Sequence, residues 1–205
     1  MTVAIYAPKM ALKLDDDTTE IDLRDLQGSW SVEQYIRLTN QTHRLLEYSD
    51  GCIEVLPMPT TYHQAISKLL FLAFLAVVQR IGGDIFYAPL RVQVRPGKFR
   101  EPDLLMVLDR GDPRAQNLFW LGADLVVEIV SNDNPERDTV EKVADYAEAG
   151  IPEYWIVNPL DTTVTVLTLM GGAYVAHGVF TRGERATSHL LDGFSVSVDE
   201  VFAVT

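Results

Sequence analysis

The chain has 205 residues, 47% of them hydrophobic and 22% charged, which fits a globular domain with one sizeable core and excludes a chain that stays disordered. Seventeen basic residues against 29 acidic ones give a net charge of −12, so long-range attraction to polyanions is excluded and any nucleic-acid role needs a local patch. The single cysteine, Cys52, rules out an intrachain disulfide and a zinc centre built from thiolates.

Residues 1–25 mix short apolar stretches with Asp15, Asp16 and Asp17 and carry no sustained period, so they read as an N-terminal extension on a single domain over 26–205. Lys9 and Lys13 run into those aspartates rather than into an apolar stretch, which is not the pattern of a secretory signal, and a cytoplasmic location is expected. Ser31 with Gln34 forms a capping-box pattern ahead of a short helix ending before Asn40. Two extended runs, 44–48 and 52–56, flank Ser49-Asp50-Gly51, a hairpin turn that favours positive φ. After Pro57 and Pro59, Thr60 or Thr61 caps a helix to about Arg80, stopped by Gly82-Gly83.

That helix shows a core stripe of Ile66, Leu69, Leu70, Ala73 and Val77, with Phe71, Phe74 and Leu75 lying off it. Those three predict cover by a second copy of the chain, a two-fold homodimer. Its apolar run, Leu69 to Val78, is shorter than the ~18 residues of a membrane span, so no membrane association is expected. Extended segments at 85–94 and 99–108 surround the turn 95–98. A strand over 124–130, a helix from about Asp138 to Ala149 and a strand over 153–157 make a crossover unit with parallel strands, and 163–169 with 173–179 make a further antiparallel hairpin. The pattern is mixed α/β.

Charges appear where a core is expected. Asp103 stands at the mouth of the apolar run 104–108, and Glu128 is the one charge among Leu125, Val126, Val127, Ile129 and Val130. A carboxylate in such a strand has to be neutralised, paired with a base or bound to a cation. Lys142 lies beside a stripe of Val140, Val143, Ala144 and Ala147, where it can either reach towards the carboxylates at the sheet end or pair locally with Asp138 or Tyr146. His63 opens the long helix as a capping residue or a ligand, and Glu47 is an ordinary strand residue unless the hairpin and that helix converge on Asp103 and Glu128. Arg91, Arg95, Lys98 and Arg100 form a basic stretch without an intervening acid, with Arg91 and Arg95 on one strand face; it reads either as a phosphate-contacting patch or as a guarded sheet edge.

Arg44-Leu45-Leu46-Glu47, Asp50-Gly51, Pro57, His63-Gln64, Pro102-Asp103-Leu104 and the block from Glu128 to Val157, including Asp138, Lys142, Tyr146 and Gly150-Ile151-Pro152-Glu153-Tyr154-Trp155, resemble the Uma-type restriction endonuclease family of the PD-(D/E)XK nuclease superfamily. The resemblance covers roughly 30–200 and implies a restriction endonuclease-like mixed β-sheet core flanked by helices, with added antiparallel hairpins. It also implies a metal-dependent endonuclease acting on DNA, with Mg2+ (or Mn2+ as substitute) held by Asp103, Glu128 and the carbonyl of Ile129. Two residues after Glu128, where the motif has lysine, this chain has Val130, so Lys142 stands as the migrated lysine; Glu47 and His63 match further positions of the site. Asn158 replaces the aspartate common before Pro159. The competing expectations are a nuclease-fold binding or assembly module without efficient turnover, and a hydrolase of a smaller phosphoester.

Overall fold

The computed structural model describes residues 9–14, 17–42 and 44–205. Within the expected extension, β1 (Lys9–Leu14) and β2 (Asp17–Asp22) pair as an antiparallel hairpin, while residues 1–8, 15 and 16 lie outside the described residues. Helix α1 (Val32–Gln41) begins at Ser31 with both hydrogen bonds of the capping box, Gln34 N to Ser31 Oγ and Ser31 N to Gln34 Oε1.

Two sheets build the domain. The smaller has the order β4-β3-β7-β6, from β3 (Leu46–Ser49), β4 (Cys52–Val55), β6 (Val92–Arg95) and β7 (Lys98–Arg100). Asp50 and Gly51 both take positive φ, 48° and 87°, as the tight β3–β4 turn demands. A Cβ on Gly51 would stand 2.6 Å from the carbonyl oxygen of Gly28, so Gly51→Ala should cost more than about 1 kcal/mol. Urea unfolding should show a lower midpoint at unchanged slope.

The larger sheet has the order β12-β11-β10-β9-β8-β5, built from β5 (Asp84–Tyr87), β8 (Leu104–Val107), β9 (Leu125–Ile129), β10 (Glu153–Asn158), β11 (Thr163–Met170) and β12 (Ala173–Phe180). Only β9 and β10 run parallel, as a crossover requires. The expected runs 85–94 and 99–108 do pair with each other, β6 (Val92–Arg95) with β7 and β5 with β8, but neither is one continuous strand. Each run splits, giving one strand to each sheet, with Pro89 and Pro102 in the two crossings where a ladder donor is missing.

Helix α2 (Thr61–Val78) covers one face of the larger sheet, capped by Thr60, whose hydroxyl accepts from the His63 amide. It buries Ile66, Leu70, Phe74 and Val78, a stripe turned from the expected one because residues 185–204, with β13 (Arg185–Thr187), β14 (Ser195–Ser197) and α4 (Val198–Phe202), pack on its flank. Phe74 is fully buried, stacked on Phe194 at 4.4 Å and edge-on to Trp155 at 5.3 Å, while Phe71 and Leu75 are half-buried against the same core. Of the residues that motivated a homodimer, Phe74 is thus covered within one chain, whereas Phe71 and Leu75 keep part of their surface open. By length and composition Thr61–Ile81 would suffice to cross a membrane, at 21 residues and mean hydropathy 1.5, but here it is the core helix of this layer.

The opposite face is covered by α3 (Lys142–Glu148), entered through a wide π-turn at Arg137–Glu141. This helix inverts the expected pattern. Asp138, Lys142, Asp145 and Tyr146 are buried, whereas Val140 and Ala144 are exposed. The reason is position: α3 lies between the two sheets, and both present charged partners to it.

Candidate active site

Asp103 and Glu128 come together through strand register. Leu104 pairs with Val127 across the antiparallel β8–β9 ladder, and one residue further the same register sets Asp103 against Glu128. Both share the face of Leu105 and Val126, the face that α3 covers. Asp103 Oδ2 accepts from the amide of Ile129 at 2.7 Å and lies 3.2 Å from His63 Nε2, so the α2 N-terminus reaches round the sheet end to this carboxylate. Glu128 Oε1 accepts from the Tyr146 hydroxyl and lies 2.9 Å from Lys142 Nζ.

Lys142 is the centre of the arrangement. Its ammonium also stands 3.2 Å from Glu47 Oε1 and 3.1 Å from Asp138 Oδ1, so strand β3, strand β9 and the helix entry each bring one carboxylate to it. The two pairings open in the sequence, sheet-end and local, are both made. Glu47 is held in turn by Arg100 Nη1 at 2.5 Å and by the Glu101 amide at 3.2 Å. Arg100 also grips Asp145 at 2.7 Å, and Lys98 bonds the same aspartate.

Burial and charge divide these groups. Burial lifts Glu128 well above the usual carboxylate range, although Lys142 opposes it, and burial likewise raises Asp138. Burial acts on Glu47 in the same sense, yet Lys142 and Arg100 together hold its carboxyl below the usual range. Burial works against the Lys142 ammonium, but Glu128, Glu47 and Asp138 outweigh it and its pKa is raised. Burial also opposes the His63 imidazolium, whereas Asp103 and the Ile129 backbone favour it, for a net upward shift. Glu101, buried beside them, is pushed up to about 7, chiefly by burial and then by Glu47.

The four basic residues do not form an open patch. Arg91 bonds Leu118 and Asn40 and faces Glu101; Arg95 makes a fork with Asp50 and reaches Glu148; Lys98 and Arg100 converge on Asp145. An irregularity between Gln93 and Arg95 breaks the strand alternation, so Arg91 and Arg95 serve different neighbours instead of pointing together.

Sequence reasoning missed Glu101, Arg137 and Asp145. Asp145 was detectable as the residue three after Lys142 on one helix face. Arg137 joins Glu54, and that pairing spans 83 residues, beyond any local pattern.

A narrow cavity of about 40 Å³ opens beside these groups, lined by His63, Glu101, Asp103, Glu128, Ile129, Arg137, Asp138 and Lys142 among others. It has room for a cation with a few waters. Among the described residues no three of the His, Cys, Asp and Glu side chains form a ready metal-binding group. The oxygen donors nevertheless suit a hard cation: the internal contacts fall on Oδ2 of Asp103 and Oε1 of Glu128, leaving the other oxygen of each, and the Ile129 backbone lines the same space.

A mixed sheet with helices on both faces is a restriction endonuclease-like core. The chain belongs to the Uma2 family, described as "putative restriction endonuclease", whose model matches residues 32–199. The fold is similar to the crystal structure of a protein from Anabaena variabilis described as "a putative nuclease belonging to DUF820", with a TM-score of 0.67 and 21% identity over 82% of this chain and 97% of that one. No curated protein matches the chain.

Proposed function

We propose that the protein is a metal-dependent endonuclease that hydrolyses phosphodiester bonds of DNA. The observation that carries this reading is the cross-strand opposition of Asp103 and Glu128 on the α3 face, with Lys142 against Glu128. Asp103, Glu128 and the Ile129 carbonyl would hold Mg2+, or Mn2+ in its place, and the ion supplies Lewis-acid polarisation of the phosphate and a bound water of lowered pKa. The remaining work belongs to side chains of this chain. Tyr146 and His63 fix the orientations of Glu128 and Asp103. Lys142 places a compact positive charge where negative charge develops on the phosphate, and Glu128 and Glu47 keep that ammonium charged and aimed.

Incubation of supercoiled plasmid with Mn2+ tests the proposal. Nicking or linearisation is expected with the wild type and none above background with Glu128→Ala; equal cleavage by both would sink it. A second reading, a nuclease-fold binding module, is favoured by the engagement of Lys142 with three carboxylates and by Val130 at the motif's own lysine position. That reading predicts a Mn2+-induced rise in Tm without any cleavage.

A further inference from the structure

The cavity beside Asp103 and Glu128 is lined by four carboxyl groups, Glu101, Asp103, Glu128 and Asp138, and those that are ionised repel an entering phosphodiester. Its basic lining residues are His63, Lys142 and Arg137. Lys142 is fully buried among Glu47, Glu128 and Asp138, and His63 is turned onto Asp103. Arg137 differs from both. Its side chain is 7% exposed, yet its partners Glu54 (Nε–Oε1, 2.9 Å) and Asp133 (Nη2–Oδ2, 2.8 Å) are 41% and 39% exposed. Half-exposed carboxylates can turn into water at little cost, whereas the guanidinium is fixed at the cavity wall. Among the described residues Nη1 makes no hydrogen bond in this arrangement.

The backbone explains how the arginine arrives there. Arg137 and Asp138 are consecutive and both buried at the cavity, a placement the wide turn Arg137–Glu141 permits by re-aiming side chains at the helix entry. A planar fork of donors suits two phosphate oxygens better than an ammonium does.

We infer that Arg137 is a residue that binds the DNA phosphate at this site before the chemical step, with Glu54 and Asp133 occupying its donors until the phosphate displaces them. The inference rests on the nuclease reading. Binding can be followed without turnover by fluorescence anisotropy of short labelled duplexes of unrelated sequence, with Ca2+ as the ion. Arg137→Ala should weaken binding roughly tenfold for every sequence and reduce the slope of log K against log salt by about 1. Arg137→Lys should lose less. Glu54→Gln with Asp133→Asn should tighten binding, and adding Arg137→Ala to that pair should remove the gain. A purely structural arginine predicts the reverse, with lowered Tm and no gain in affinity.

Wild-type affinity in Arg137→Ala, or a gain that survives in the triple variant, would overturn the assignment without touching the nuclease reading, which the plasmid assay on the wild type tests separately. A wild type that neither binds duplex nor cleaves plasmid would overturn the nuclease reading and this inference with it. Should Arg137→Ala fail to fold, Arg137→Lys and the Glu54/Asp133 pair still decide.

Discussion

Lys142→Ala should lose plasmid cleavage by orders of magnitude and also destabilise the protein by about 3–5 kcal/mol, the usual result of removing one partner from a buried ionic cluster. The sequence alone predicts a variant that folds and binds metal almost normally, because a lysine near a helix start looks expendable to the core. With the Lys142 side chain 2% exposed and three carboxylates around its ammonium, removal leaves uncompensated buried charge. Stability and chemistry can be separated. Glu47→Gln and Glu128→Gln, added to Lys142→Met, should recover much of the lost stability and none of the activity. Urea midpoints and single-turnover rates measured on the same preparations check both halves; full stability in Lys142→Ala would contradict the geometry.

Glu153→Ala should give the largest loss of stability outside the site. This carboxylate is completely buried and accepts four hydrogen bonds, from Trp155 Nε1 at 2.6 Å, Ser188 Oγ at 2.7 Å and the amides of His189 and Leu190 at 2.7 and 2.8 Å. It fastens the 188–190 segment to the start of β10. Losing the acceptor strands the buried indole N–H of Trp155 and three part-buried donors; one buried donor left unsatisfied costs about 1–3 kcal/mol, so a decrease of about 3 kcal/mol is expected. Glu153 pairs with Leu125, at the far end of β9 from Glu128. Calorimetry should therefore show a much lower Tm, while cleavage below that transition stays at the wild-type rate.

Local signals were legible wherever a few neighbouring residues decide the outcome. Ser31 with Gln34, Asp50-Gly51, Thr60 and Gly82 mark element ends that the structure keeps, and the 128–157 block reads as a strand-helix-strand crossover. Two kinds of information were not local. Alternation in 85–94 and 99–108 marks extended backbone but not which sheet receives it, so both runs looked continuous although each is shared between sheets. The inward face of α3 was misread because hydrophobic period identifies a core face only when the core is apolar. Here Arg100, Glu47 and Glu128 meet that helix, and the residues that answer them, Asp145 and Lys142, are charged. The same limit hid the fate of the basic stretch: its cations are taken up by acids distant in sequence, as Arg100 is by Glu47 across 53 residues.

Because a single ammonium joins a carboxylate from the smaller sheet to one from the larger, docking of the two sheets and assembly of the site are the same event. A fluctuation that parts β3 from α3 exposes Lys142 to water and disbands its carboxylate ring at once. Amides of β3 and β9 should then exchange with a common opening free energy, and activity in rising denaturant should vanish together with that opening, leaving no folded but half-competent intermediate.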